Sequence, residues 1–331
     1  MLNPALKLNE KVFDKEVEQK STREGYGDGL LEAGKTDSRV VALCADVTGS
    51  TKTDLFAKEF PQRFFQLGVA EQNMAAIAAG LGVCGKVAFI SSYATFSPGK
   101  NWETIRTTIV YNQSNVKIAG HHTGIVTGAD GATHQATEDI AIMRTLPDIQ
   151  VVVPCDSIEA RKVTIASVAV AGPVYLRFTR DKTPVMTTDE TPFEIGKAYE
   201  FWKEEQPEVV IFGTGHLLYH ALIAAKELEK EKIAVSVVNV ASVKPLDKRE
   251  IIDLVKKSGS VVTVEDHQIM GGFGSAIAEL LASEYPAPVE FIGLKDTFAE
   301  SGKPAELIEK YELGAEAIKK AVKKVITRKK S

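Results

Sequence analysis

The feature that most constrains this chain is an alternation of short, β-branched apolar runs with stretches of helical periodicity, kept up over most of its length. Strands that are apolar on both faces fit only between layers of helices, so the alternation predicts parallel sheets covered on both sides. In the first half the predicted strands are Val40-Asp46, Lys86-Ala94, Val116-His122, Gln150-Cys155 and Pro173-Arg180. Helical patterns fall between them at Ala70-Gly82, Asn101-Asn112, Thr137-Thr145 and Ser157-Ala171, the last with Asp156 and Ser157 as caps. Asp181-Pro192 breaks the rhythm with two prolines, four threonines and three acids, which reads as a linker or boundary loop. The alternation then resumes through Glu208-Gly213, Leu217-Lys230, Ala234-Ala241, Asp247-Ser258, Ser260-His267, Gly274-Ser283 and Val289-Gly293, and a basic helix closes the chain. The fold class expected is α/β with two doubly wound domains. They are placed at 16–184 and 195–331, with an N-terminal extension over 1–15 and a linker over 185–194; 331 residues leave room for two cores.

Composition removes several classes of function. A net charge of -4 and a pI near 6.0 argue against a nucleic-acid binder. No apolar run approaches the roughly 20 residues that span a bilayer. The first residues, MLNPALKLNEKVFDKEVEQK, have no apolar centre of the kind a signal peptide needs. Cys44, Cys84 and Cys155 lie far apart in or beside apolar segments, which fits reduced core thiols. The expectation is a cytoplasmic protein with no nucleic-acid or membrane partner.

Three segments of the first half are too particular to be packing alone. Ala45-Thr51 (ADVTGST) follows a strand, so its polar residues stand outside the carboxyl end of the sheet, where α/β ligands bind. Taken alone it reads equally as a strand-to-helix turn. Gly68-Ala76 (GVAEQNMAA) places Glu71 at the start of an otherwise small and apolar helix, where a carboxylate can also serve only the helix dipole. Gly120-Gln135 (GHHTGIVTGADGATHQ) holds three of the six histidines, four glycines and Asp130 after another strand. Glycines let backbone approach a ligand closely, and the His122-to-His134 spacing fits no usual zinc pattern.

In their order these pieces, with RFFQLGVAEQNM, SSYATF, DGATHQATEDIAIMR, VVPCD and the Leu-Arg-Phe-Thr-Arg strand end, resemble the pyrimidine-binding and C-terminal domains of transketolase. The resemblance runs from about Thr22 to the end. Full-length members carry an earlier domain that holds a cofactor diphosphate through a metal ion and a Gly-Asp-Gly...Asn motif. Here Gly27-Asp28-Gly29 spells only the first part, inside a helical stretch. The resemblance therefore implies the C-terminal subunit of a split transketolase, working with an N-terminal subunit and with a second copy of itself in a heterotetramer.

The cofactors implied are thiamin diphosphate and Mg2+ or Ca2+, with the metal ligands on the partner and none on this chain. Glu71 matches the glutamate that bonds the cofactor's pyrimidine nitrogen and makes its thiazolium carbon nucleophilic. Phe96 matches the aromatic that packs on the pyrimidine, Asp46 lies beside the ring, and Trp102 is a candidate for completing the pocket. Asp130 and His134 match residues that bond sugar hydroxyls. Arg23, Ser50, His122 and Arg180 match the binding site for a sugar's terminal phosphate, and their types suit it, since guanidinium pairs with phosphate at two points. Glu71, His134 and His122 are the implied proton-handling residues. The implied reaction moves a two-carbon ketol unit between sugar phosphates. A 1-deoxy-D-xylulose-5-phosphate synthase-like subunit and a non-catalytic scaffold stay open as alternatives. In the second domain Gly213-Thr214-Gly215, Val264-His267 and Gly271-Gly274 give weak signals, and His267 reads as structural.

Overall fold

The computed structural model describes residues 1–330. Two sheets carry the architecture. The first has seven strands in the order Ser242–Lys244, Gln150–Val152, Val174–Arg177, Val116–His121, Val87–Tyr93, Val40–Cys44 and Phe64–Gln66. All of its pairings are parallel except that of Ser242–Lys244, which runs antiparallel to Gln150–Val152. The second has five strands, Val289–Leu294, Val261–Gln268, Val209–Gly213, Val235–Asn239 and Tyr199–Trp202, parallel but for the last. Their central strands are buried along their whole length, which explains the unbroken Val, Ile and Leu runs.

The predicted strands all form, most of them shorter than predicted and two, Val261–Gln268 and Val289–Leu294, one residue further on at their ends, and the helices Glu71–Val83, Asp139–Arg144 and Ser157–Val168 lie inside their predicted windows or within one residue of them. The helix expected over Asn101-Asn112 is different in kind. It comprises Trp102–Thr104 and a wide, π-type turn, Ile105–Val110, and is preceded by an irregular wide turn, Thr95–Lys100, whose backbone leaves helical values at Ser97. Wide turns of this sort recur at functional sites.

Two boundary regions are more tightly built than their composition suggests. The first residues lie on the second sheet: Leu2 bridges Trp202, and Leu8 and Val12 are buried in the same cluster as Phe201 and Trp202. In the linker-like stretch, Lys182–Pro184 pairs antiparallel with Gln19–Ser21. The Asp156 carboxylate then accepts from the backbone N–H of both Met186 (2.8 Å) and Thr187 (2.6 Å). Among the cysteines, Cys44 and Cys155 are buried as expected, whereas Cys84 is exposed at the end of its helix.

Glycine explains the Gly25–Gly29 run. The helix Thr22–Thr36 crosses Ser157–Val168 so closely that a Cβ on Gly25 would stand 1.9 Å from the Ser157 carbonyl oxygen, and one on Gly29 2.8 Å from that of Arg161. The sequence Gly27-Asp28-Gly29 is thus a packing feature, with Asp28 paired to Lys20 on the surface.

A buried polar network fixes the two sheets to each other. Arg177 Nε donates to Asp139 Oδ2 (2.8 Å), and Arg177 Nη2 donates across the boundary to the Asp266 carbonyl (2.9 Å). Asp139 also accepts from the Tyr175 hydroxyl (2.6 Å), and the Asp266 carboxylate contacts His216 Nε2 (3.0 Å) and accepts from the Ile125 N–H (3.0 Å). His267 is held as a structural residue by the Gln268 carbonyl (2.7 Å). Removing one partner of a buried pair leaves the other charge uncompensated, a loss of about 3–5 kcal/mol. Arg177→Leu is expected to destabilise the chain by about that amount in chemical denaturation, and a change below about 1 kcal/mol would show that the network does not join the domains.

Candidate functional site

The residues singled out in the sequence gather along one edge of the first sheet. Its parallel strands point their carboxyl ends there, and five of them release these residues in sheet order: Arg180 after Val174–Arg177, His122 after Val116–His121, Phe96 after Val87–Tyr93, whose last residue is Tyr93, Asp46 and Ser50 after Val40–Cys44, and Glu71 after Phe64–Gln66. Ligands of parallel α/β sheets bind at this edge. Two of these residues, Asp46 (φ 61°) and His122 (φ 56°), hold left-handed backbone that side chains seldom adopt. Such strain concentrates where geometry serves a ligand.

Glu71 is the first residue of the helix Glu71–Val83 and only 2% exposed. Among the described residues its carboxylate is paired with Lys100 Nζ at 3.1 Å. Asn101, from the same wide turn, donates to the Glu71 carbonyl (3.0 Å) and to Ser97 Oγ (3.2 Å), and its own N–H bonds back to the Phe96 carbonyl (3.2 Å). One short segment therefore ties Glu71 to Phe96. Neither Lys100 nor Asn101 stood out in the sequence.

Next along the edge is a ring cluster. Tyr93 stacks on His122 with centroids 3.8 Å apart, Phe96 stacks more loosely on Tyr93 (6.2 Å), and His134 meets Phe96 edge-on at 5.5 Å. Tyr93, left without a role by the sequence, is the hub. Trp102 belongs elsewhere: its indole N–H bonds the Ile142 carbonyl (2.9 Å) and its ring packs on the main core, so the structure makes it a packing residue rather than part of this cluster.

Beyond the rings opens a cavity of about 510 Å³ lined by Arg23, Lys52, Thr127, Arg180, Lys182 and Lys303 among others. Lys303 comes from the second domain, and no sequence feature marked it or Lys52 and Lys182. Arg23 donates to the Ser50 carbonyl (3.0 Å) but keeps a buried Nε without a partner. Arg180 donates to the Thr127 carbonyl (2.8 Å) and pairs with Asp130 at 3.1 Å. Burial, reinforced by the facing charge of Arg180, lowers the Arg23 guanidinium's affinity for its proton. Burial first, then Arg23, Arg180 and His134, hold the His122 imidazole down at about 3, so it is neutral near pH 7, and its Nδ1 has no partner. Crowded cations with unpaired buried donors are what an anion would relieve. Ser50 contributes its carbonyl to Arg23 and stands beside this group on the turn Thr48–Thr51. His134 Nδ1 bonds Thr133 Oγ1 (2.9 Å). Among the described residues no group of three or more His, Cys, Asp or Glu side chains forms a metal site.

Comparison with known proteins gives a consistent picture. The profile of the transketolase pyrimidine binding domain matches residues 18–186, and that of the transketolase C-terminal domain matches 200–318. A solved structure described as a split gene transketolase, inactive beta4 tetramer, is 44% identical with a TM-score of 0.87, covering 93% of this chain and 99% of that one. The 6-deoxy-6-sulfo-D-fructose transketolase subunit SqwH of Clostridium sp. is 36% identical over 96% of this chain and 98% of its own length. Rat transketolase is 34% identical over 97% of this chain, which spans only 51% of the rat protein.

The cationic cavity lies wholly within this chain, so the isolated protein is expected to bind inorganic phosphate, detectable by calorimetry. Removing a positive neighbour favours the charged imidazole, so Arg180→Leu is expected to raise the His122 pKa above about 3 in an NMR titration and to weaken phosphate binding at least tenfold. An unmoved His122 resonance and unchanged phosphate affinity would separate Arg180 from the site.

Proposed function

The chain belongs to the transketolase family, and from that premise we propose that it is the C-terminal subunit of a two-chain, thiamin-diphosphate-dependent enzyme that passes a two-carbon ketol unit from a ketose phosphate to an aldose phosphate. The observation that carries this reading is the order of groups along one sheet edge: a buried carboxyl, a cluster of rings, then a cationic cavity. A ketose phosphate offers the complementary order, a carbonyl end to be activated and an anionic end to be held.

The residues present fit the pyrimidine half of the cofactor. Glu71 is a buried carboxyl with a single cationic partner, suited to bond a ring nitrogen, and Phe96 offers an aromatic face nearby, with Asp46 at the adjacent strand end. When bound, the cofactor supplies a nucleophilic thiazolium carbon. Holding its diphosphate and Mg2+ or Ca2+ is assigned to the N-terminal subunit. This chain's own work is to fix the pyrimidine through Glu71 and to receive the sugar. Arg23, Arg180, Ser50 and His122 take the terminal anion, while Asp130 and His134 face the hydroxyls. A site built to pair hydroxyls rejects analogues that lack them. The neutral imidazole of His122 serves as hydrogen-bond donor or acceptor without adding charge, and His134, edge-on to Phe96, is assigned a share in proton transfer.

The name of the Clostridium relative ties it to a sulfonated sugar, and a guanidinium-lined cavity accepts sulfonate as well as phosphate. A panel of donors therefore belongs in the assay. With an N-terminal subunit carrying the Gly-Asp-Gly...Asn motif, thiamin diphosphate and Mg2+, the assembled enzyme is expected to form sedoheptulose 7-phosphate from xylulose 5-phosphate and ribose 5-phosphate. Glu71→Gln should lower kcat by about 10²–10⁴-fold without loosening the assembly. Full turnover by that variant would mark this chain as a scaffold, and use of pyruvate as donor would favour the deoxyxylulose-phosphate reaction.

A further inference from the structure

A carboxylate removed from water needs a compensating charge or hydrogen bonds, because desolvation disfavours its ionised form. Glu71 is 2% exposed, and the compensation it has is a single ammonium, Lys100 Nζ at 3.1 Å, on a side chain that is itself 50% exposed. The asymmetry matters. The acid cannot leave its place, because it begins a helix and its carbonyl is clamped by buried Asn101. The lysine can, because a four-carbon stem with its end half in water has rotamers to spare.

Lys100 also approaches from a telling direction. It ends the wide turn Thr95–Lys100 that carries Phe96, the aromatic offered to the pyrimidine ring. The ammonium thus reaches the carboxylate from the segment against which that ring would lie, and it bonds one of the two oxygens that a ring nitrogen could use.

We propose that Lys100 is a positioning residue for Glu71: it stands in for the aminopyrimidine while the ring is away, keeping the buried carboxylate satisfied, and is displaced into solvent when the ring enters. This rests on the reading of Glu71 as the pyrimidine-binding acid. It adds that the resting chain carries its own competitor for the cofactor.

The test compares Lys100→Met and Lys100→Arg with the unaltered chain, each assembled with its N-terminal subunit and titrated with thiamin diphosphate in Mg2+ by calorimetry. Met removes the competitor and keeps the stem, so the Kd should fall about tenfold or more; Arg keeps the charge and should bind as the unaltered chain does. In the unaltered complex, acylation of the Lys100 amine by acetic anhydride, followed by mass spectrometry, should quicken when the cofactor is added. This second measurement does not depend on how well either variant folds. Unchanged or weaker binding by the Met variant, or protection of Lys100 by cofactor, would overturn the proposal. Failure of the unaltered complex to bind thiamin diphosphate at all would instead remove the reading of Glu71, and this inference with it.

Discussion

Burial of the Glu71 carboxylate sets terms that much of the first domain is built to meet. An acid 2% exposed at the head of a helix needs a rigid surround, and the chain supplies one from a segment about thirty residues later in sequence. That segment presents Lys100 and Asn101 to Glu71 with Phe96 just before them, and it is no plain α-helix because the extended backbone of Ser97 and the adjoining Pro98 interrupt it. The wide turns Thr95–Lys100 and Ile105–Val110 take the place of one, and Trp102, anchored by the Ile142 carbonyl, holds the segment against the core. Trp102 thus steadies the segment that carries Phe96, Lys100 and Asn101.

The second domain enters the site by two routes. Its strand Ser242–Lys244 extends the first sheet, and the Arg177–Asp139–Asp266–His216 network locks the loop Gly124–Asp130 in register through the Ile125 N–H. Because that loop carries Thr127 and Asp130, both bonded to Arg180, the placement of a surface guanidinium is traceable to a buried network beyond the domain boundary. Lys303 completes the cavity from the same side. A cavity wall shared between domains holds its shape only if the domains do not slide, which is a physical reason to bury so much polarity at their junction.

Much of this was legible beforehand. The alternation of β-branched and helical runs gave the sheets, because strand burial on both faces leaves a compositional trace. Glu71 was visible because a lone acid in an apolar helix start is conspicuous, and His122, Arg23 and Arg180 because their order follows a known pattern. What escaped notice shares a different physics. Lys100, Lys52, Lys182 and Lys303 resemble any solvated lysine, and their meaning comes from tertiary placement. The strands Gln19–Ser21, Lys182–Pro184 and Ser242–Lys244 are three residues each and depend on distant partners, so no local period announces them. The proline- and threonine-rich stretch looked like a linker because its buried hydrogen bonds, to Asp156, run to another part of the chain.

The two ends of the site solve one problem in the same way. Arg180 at the cationic end is paired with Asp130, and Glu71 at the acidic end with Lys100, each through a counter-ion that reaches into solvent. A fully buried counter-ion would make either pair permanent, since separating buried charges is strongly unfavourable. A partly exposed one gives the resting chain its compensation and can turn away into water without itself being stranded in the interior. The ends differ in what they await. Arg23 Nε and His122 Nδ1 remain unpartnered beside Arg180, so the cationic end still gains from an anion arriving alone. The Glu71 carboxylate is already paired with an ammonium. On the proposed reading, the anion would meet unpaired donors at one end, whereas the cofactor would meet an acid already paired at the other.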